Sequence, residues 1–151
     1  MTHGDHVFKV SGFVPRPRDE VFEFFSNAAN LETITPPQLR FRITTSGPIS
    51  MGVGTLIDYR LSLFGIPFGW KTRIAAWEQN RCFVDEQLKG PYAKWEHTHS
   101  FHDAGGGTRV EDSVLYRLPL YPLGEIALPV VGMQLKRIFD YRTERIKELL
   151  A

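Results

Sequence analysis

The segment KWEHTHSFHDAGGGTRVEDSVLY, from Lys94 to Tyr116, decides the reading of the fold. Trp95, His97, His99 and Phe101 alternate with Lys94, Glu96, Thr98 and Ser100. Past Gly105-Gly106-Gly107, Val110, Asp112, Val114 and Tyr116 alternate with Arg109, Glu111 and Ser113. Period two on both sides of a glycine turn predicts a pair of antiparallel strands with one face covered and the other wet. Working upstream, Cys82 to Leu88 is strand-like without a clean polarity. Trp70, Thr72 and Ile74 alternate with Lys71 and Arg73 after a Gly65–Gly69 turn. Ile57, Tyr59, Leu61 and Leu63 alternate with Asp58, Arg60 and Ser62, and Leu39, Phe41 and Ile43 with Arg40, Arg42 and Thr44. A first strand fits His6 to Phe13.

Two departures from this period supply the helices. After Pro15-Arg16-Pro17, Asp19 and Glu20 stand where acids favour a helix start, and Val21, Phe22 and Phe25 share one apolar face. Asn27 is placed to cap a second short helix through Leu31, closed by Pro36-Pro37. From about Val131 the period becomes helical. Leu135, Ile138, Phe139, Ile146, Leu149 and Leu150 fall on one stripe, and Lys136, Arg137, Glu144, Lys147 and Glu148 on the other. A half-covered sheet and one long amphipathic helix bury each other's apolar faces, so the class is α+β.

Composition narrows the function classes. The chain has 151 residues, a formal net charge of +1, 42% hydrophobic and 23% charged residues, and a single cysteine, Cys82. Such a chain reads as one domain, 1–151, with neither the basic excess of a nucleic-acid binder nor a disulfide framework. No apolar run reaches the length of a membrane span, and the opening residues do not read as a signal peptide, so a soluble cytoplasmic protein is expected. The unusual number is 19 aromatics (11 Phe, 5 Tyr, 3 Trp), enough to fill a core or to wall a cavity.

The run Val14-Pro15-Arg16-Pro17-Arg18-Asp19-Glu20-Val21-Phe22-Glu23-Phe24-Phe25, then Asn30-Leu31 and Ile34-Thr35-Pro36, the order Trp77 to Phe83, Gly105-Gly106-Gly107-Thr108-Arg109-Val110 and the closing helix together resemble the START-like helix-grip (SRPBCC) superfamily. That group includes polyketide cyclase/dehydrase-like proteins and plant pollen-allergen and lipid-transfer relatives. The resemblance implies a curved antiparallel sheet of about seven strands gripping the C-terminal helix, two short helices after the first strand, and a cavity for hydrophobic or amphipathic small molecules. It carries no shared catalytic residue.

The inward faces hold polar groups where a plain core would be apolar. His97 and His99 share a face with Trp95 and Phe101, Asp112 shares one with Tyr116, and Asp85 and Gln87 are assigned to the face of Phe83. Arg142 interrupts the apolar stripe of the helix within reach of Asp85 or Asp112. Buried ionisable groups are costly unless paired, so these side chains pair with one another, line a wet cavity, or meet a ligand. His97-Thr98-His99 points two imidazoles the same way, and Asp85 or Asp112 could complete a zinc site. The pair is read instead as hydrogen-bonded imidazoles of a cavity wall, with no metal and no cofactor expected. His102 points to the opposite face. Cys82 and Ser113 lack the context of a nucleophile, and the glycine triplet is a hairpin turn.

The expected function is binding of a hydrophobic or amphipathic molecule (lipid-, polyketide- or isoprenoid-like). Aromatic walls come from Tyr59, Trp70, Trp95 and Tyr116, and polar anchors from Asp85, Gln87, His97, His99, Asp112 and Arg142. The enzyme alternative is a polyketide cyclase/aromatase or dehydratase with His97 or His99 as general base. The apolar, proline-broken segment from Leu118 to Gly132 reads as a lid, a partner surface or a packed connection. Exposed apolar loops and near-neutral charge permit a homodimer.

Overall fold

The computed structural model describes residues 3–151. Among these residues, seven strands form one antiparallel sheet: β1 (Asp5–Val14), β2 (Arg42–Ile43), β3 (Leu56–Leu63), β4 (Ile66–Glu78), β5 (Cys82–Lys89), β6 (Lys94–Ala104) and β7 (Gly107–Arg117). Their spatial order is β1-β7-β6-β5-β4-β3-β2, so a meander from β2 to β7 is closed by the first strand lying beside the last. Helices α1 (Arg18–Phe25) and α2 (Asn30–Thr33) carry the chain from β1 to the opposite edge, and α3 (Leu128–Leu150) lies across the concave face. This is the helix-grip arrangement that the alternation and the long amphipathic stripe predict.

Local chemistry explains where the boundaries fall differently. Leu39, Phe41 and Ile43 were expected on one strand. Instead Pro37–Leu39 is a 3₁₀ turn, Arg40 is left-handed (φ 50°), and only Arg42–Ile43 pairs with β3. Pro36-Pro37 favours the turn and withdraws backbone donors from any ladder. The turn placed at Gly65–Gly69 is tighter: Phe64 and Gly65 alone turn the chain, both at positive φ (53° and 78°). That is the geometry a two-residue hairpin needs to match strand twist, and it leaves β4 thirteen residues long. The second short helix starts at Asn30 rather than at Asn27, whose side-chain oxygen accepts the Ala29 N–H at 3.1 Å and holds a turn ahead of it. α3 begins at Leu128, with Pro129 tolerated in its first turn, and Leu149 faces solvent.

Two register shifts in β4, between Lys71 and Thr72 and between Ile74 and Ala76 against β5, mark where the ladder is irregular. Such bulges bend a sheet and sharpen its twist, which a grip around a helix requires. The core is packed in three aromatic-rich clusters. In the first, Phe22 is fully buried and meets Trp77, Phe83 and Phe101 edge-on at ring separations of 5.1–5.9 Å. A second joins Val114, Tyr116 and Leu118 to Val131, Leu135 and Phe139 of α3. The third, around Leu61, Leu63 and Trp70, closes the other side of the concave face. Between the first and third clusters the packing leaves a space.

Candidate functional site

That space is a cavity of about 150 Å³ between the concave sheet face and α3. Its walls are aromatic: Tyr59 stacks on Trp70 (5.7 Å, 18°), and Trp70 meets Trp95 edge-on at 5.3 Å. Ile57 and Ile74 of the sheet and Leu135, Ile138 and Phe139 of α3 add aliphatic and aromatic surface. One end is polar, with Asp85, His97, His99 and Arg142 in the lining.

The strand register fixes the polar end. Asp85 stands directly opposite His97 across β5–β6, and His99 opposite Asp112 across β6–β7. The hydrogen bonds run along the diagonals instead. His97 Nε2 lies 2.8 Å from Asp112 Oδ1, and His99 Nε2 lies 2.6 Å from Asp85 Oδ2. The two imidazoles stack on each other at 3.7 Å and 25°, and His99 stacks in turn on Phe83 at 4.2 Å. The result is a box of two stacked rings between two carboxylates.

The charge states follow from the surroundings. Burial pushes Asp112 up, but Arg142, the His97 hydrogen bond and the two imidazoles outweigh it, so the carboxyl lies well below its usual range. Burial raises Asp85 as well, and the His99 hydrogen bond, the two neighbouring imidazoles and the Arg142 guanidinium bring it below normal. Both are carboxylates at neutral pH and accept only. Burial and the neighbouring His97 push His99 down to about 4 against the pull of Asp85, so its ring is neutral. The His99 proton therefore sits on Nε2, donated to Asp85. Nδ1 is left without a partner, 3.4 Å from an Asp112 oxygen.

Arg142 does not pair directly with either carboxylate. Its Cζ lies 5.2 Å from the Phe25 ring centroid and 5.6 Å from that of Phe139, and its Nε and Nη2 are buried without an acceptor among the described residues. Trp70 Nε1 is a third buried donor with no acceptor. Buried donors of this kind are normally satisfied by an ordered water or a ligand atom.

Seven of the ten sequence-selected residues line the cavity: Tyr59, Trp70, Asp85, Trp95, His97, His99 and Arg142. Three lie elsewhere. Gln87 braces the β5–β6 turn, its Nε2 donating to the Tyr92 carbonyl (2.7 Å) and its Oε1 accepting the Tyr92 N–H (3.1 Å). Asp112 stands behind the histidines, away from the void. Tyr116 is buried against Tyr92 and His6 outside it. Sequence reasoning missed Tyr92, which meets Trp70, Trp95 and Tyr116 at 4.8–6.0 Å and lines the cavity from a turn. A lone residue after Gly90-Pro91 has no periodicity to betray it. The segment from Leu118 to Gly132 holds a 3₁₀ stretch, Leu123–Ala127, and exposes Leu120, Leu123 and Ile126 (71–83%).

A seven-stranded antiparallel sheet gripping a long C-terminal helix is the arrangement of the SRPBCC superfamily. Residues 14–142 match the family model described as polyketide cyclase/dehydrase and lipid transport, and the chain belongs to that family. Among solved structures it is similar to the Zhui aromatase/cyclase from Streptomyces sp. R1128 (13% identity, TM-score 0.77, covering 97% of this chain and 93% of that one). It is also similar to the ginseng major latex-like protein 151 from Panax ginseng (13% identity, TM-score 0.68, 97% and 98% covered). A third similar structure is the nucleoside-diphosphate sugar epimerase from Corynebacterium glutamicum, at 25% identity and TM-score 0.68, covering 93% of this chain and 28% of that longer one. No curated protein matches. Among the described residues, no helix is long and apolar enough to cross a membrane.

Proposed function

We propose that this protein binds a small hydrophobic or amphipathic molecule between the sheet and α3, with its apolar body against Tyr59, Trp70 and Trp95 and its polar group toward His97, His99, Asp85 and Arg142. The observation that carries the reading is the cavity itself, walled by aromatic and aliphatic side chains and ending on buried groups whose bonding is incomplete. Its size restricts the occupant. About 150 Å³ is the scale of a single aromatic ring, whereas drug-sized ligands occupy roughly 300–1,000 Å³. Single-ring compounds enter with little adjustment, a two-ring phenol such as 2-naphthol makes the walls yield slightly, and a lipid or extended polyketide requires them to part.

Paired native and denaturing mass spectrometry of freshly purified protein identifies any retained molecule, and calorimetric titration with 2-naphthol tests the cavity directly. Ile138→Trp, which fills the void from α3, is expected to weaken 2-naphthol at least tenfold. Unchanged affinity in a folded Ile138→Trp protein sinks the assignment.

A second reading is catalytic, an aldol cyclisation or dehydration with a histidine of the pair as base. It is favoured by the two His–carboxylate contacts at the cavity wall and by membership of a cyclase/dehydrase family. Replacing His97 or His99 with Gln then lowers turnover with little change in affinity, whereas in a carrier the same substitutions change affinity alone.

A further inference from the structure

We propose that Asp85, His97 and His99 form a binding site for a first-row divalent cation, with zinc as the reference ion, whose remaining coordination position opens into the cavity. The three side chains bring one ligand atom each within 4.8 Å of one another. Asp85 Oδ2 lies 2.6 Å from His99 Nε2 and 3.8 Å from His97 Nδ1. A tetrahedral zinc with nitrogen ligands at about 2.1 Å separates them by about 3.4 Å; the two Asp85 spacings differ from this by less than about 1 Å, and the imidazoles must turn out of their 3.7 Å stack to aim both lone pairs at one ion.

Three further features favour a cation here. The first is the outer layer. Metal-bound imidazoles usually donate their other N–H to a carboxylate. Asp112 Oδ1 does this for His97 Nε2 at 2.8 Å and stands 3.4 Å from His99 Nδ1. With the proton of His99 moved from Nε2 to Nδ1, its partnerless nitrogen gains an acceptor and Nε2 is freed for the metal. One carboxylate then orients both ligands. The second is charge: two carboxylates, the partly buried Asp85 and the buried Asp112, stand near the single guanidinium of Arg142, and a divalent ion reverses that deficit. The third is access. Asp85, His97 and His99 line the cavity and Asp112 does not, so three protein ligands leave a position for water or a ligand oxygen, the pattern of a catalytic rather than a closed structural site. Two imidazoles with one carboxylate select zinc or a neighbouring transition ion over magnesium or calcium.

The test uses the full chain freed of metal with a chelator. Calorimetric titration with Zn²⁺ is expected to give one site per chain, and Co²⁺ a visible absorption band of low-symmetry coordination. His97→Gln, His99→Gln and Asp85→Asn each lower zinc affinity at least 100-fold. Asp112→Asn, acting through the imidazoles, lowers it about 10–100-fold. His102→Gln, exposed on the opposite face, leaves it unchanged. Should the buried variants fail to fold, X-ray absorption of the zinc-loaded wild type decides: scattering from two imidazoles supports the site, and its absence overturns it. Failure to bind zinc at micromolar concentration, or binding kept by a folded His97→Gln/His99→Gln double variant, also overturns it. The proposal stands apart from organic ligand binding, since 2-naphthol is titrated without metal and zinc without ligand.

Discussion

Alkaline pH offers a way to ask whether the aromatic wall is dry. Burial raises the phenol of Tyr59 far above its ordinary value, with Asp85 adding to the effect and a hydrogen bond to Thr72 opposing it; burial and Tyr116 raise Tyr92 likewise. An unfolded chain ionises its tyrosines near pH 10, whereas the folded chain keeps these two neutral. Below that pH neither state gains; above it, unfolding releases protons that the fold retains, so stability falls as pH rises. A phenol fully withheld from ionisation contributes a loss of about 1.4 kcal/mol between pH 9 and 11, and two contribute about 2.8 kcal/mol. Urea unfolding followed by tryptophan fluorescence at pH 9, 10 and 11 measures the loss. Tyr59→Phe and Tyr92→Phe are each expected to flatten it by about 1.4 kcal/mol, whatever they do to stability at neutral pH. If wild type and Tyr59→Phe lose stability in parallel, Tyr59 ionises in the folded protein, its ring is wet, and a dry aromatic wall is refuted.

Phe22→Ala removes the ring around which Trp77, Phe83 and Phe101 assemble and is expected to cost about 3–5 kcal/mol in chemical denaturation. Gly107→Ala places a methyl group against the Val14 backbone carbonyl and the Phe13 ring; a loss of about 1–3 kcal/mol is expected, read as a lower thermal midpoint. Ile126→Ser, at an 83% exposed position, changes stability by less than about 0.5 kcal/mol in the same assay.

The fold was legible because the sheet has one wet face. Alternation across β6 and β7 placed His97, His99 and Asp112 inward from sequence alone, and the change of period at the chain's end identified the gripped helix. What periodicity does not encode was lost. The Pro36-Pro37 turn overrode the alternation of Leu39, Phe41 and Ile43, and a two-residue turn at positive φ was hidden behind the more conspicuous glycines. Within the site, strand parity showed which side chains face in, but not which of them touch. Asp112 and Gln87 point inward, yet one sits behind the imidazoles and the other is consumed by a turn. The diagonal His–carboxylate pairing depends on three adjacent strands at once, which no single stretch of sequence displays.

The lateral order of the strands bears on how the chain acquires its structure. β1 lies beside β7, with Asp5 opposite Arg117 and Val14 opposite Thr108, and among the described residues no other strand borders it. As the polypeptide leaves the ribosome, its first strand must wait until more than about ninety further residues have been made before a partner exists. Contacts at such separation slow folding, and meanwhile Val7 and Phe13, still 45–48% exposed in the finished fold, stand on an unpaired strand open to neighbouring chains. The edge of the sheet that carries the chain's first strand is thus completed only by residues near its far end, β7 and then α3.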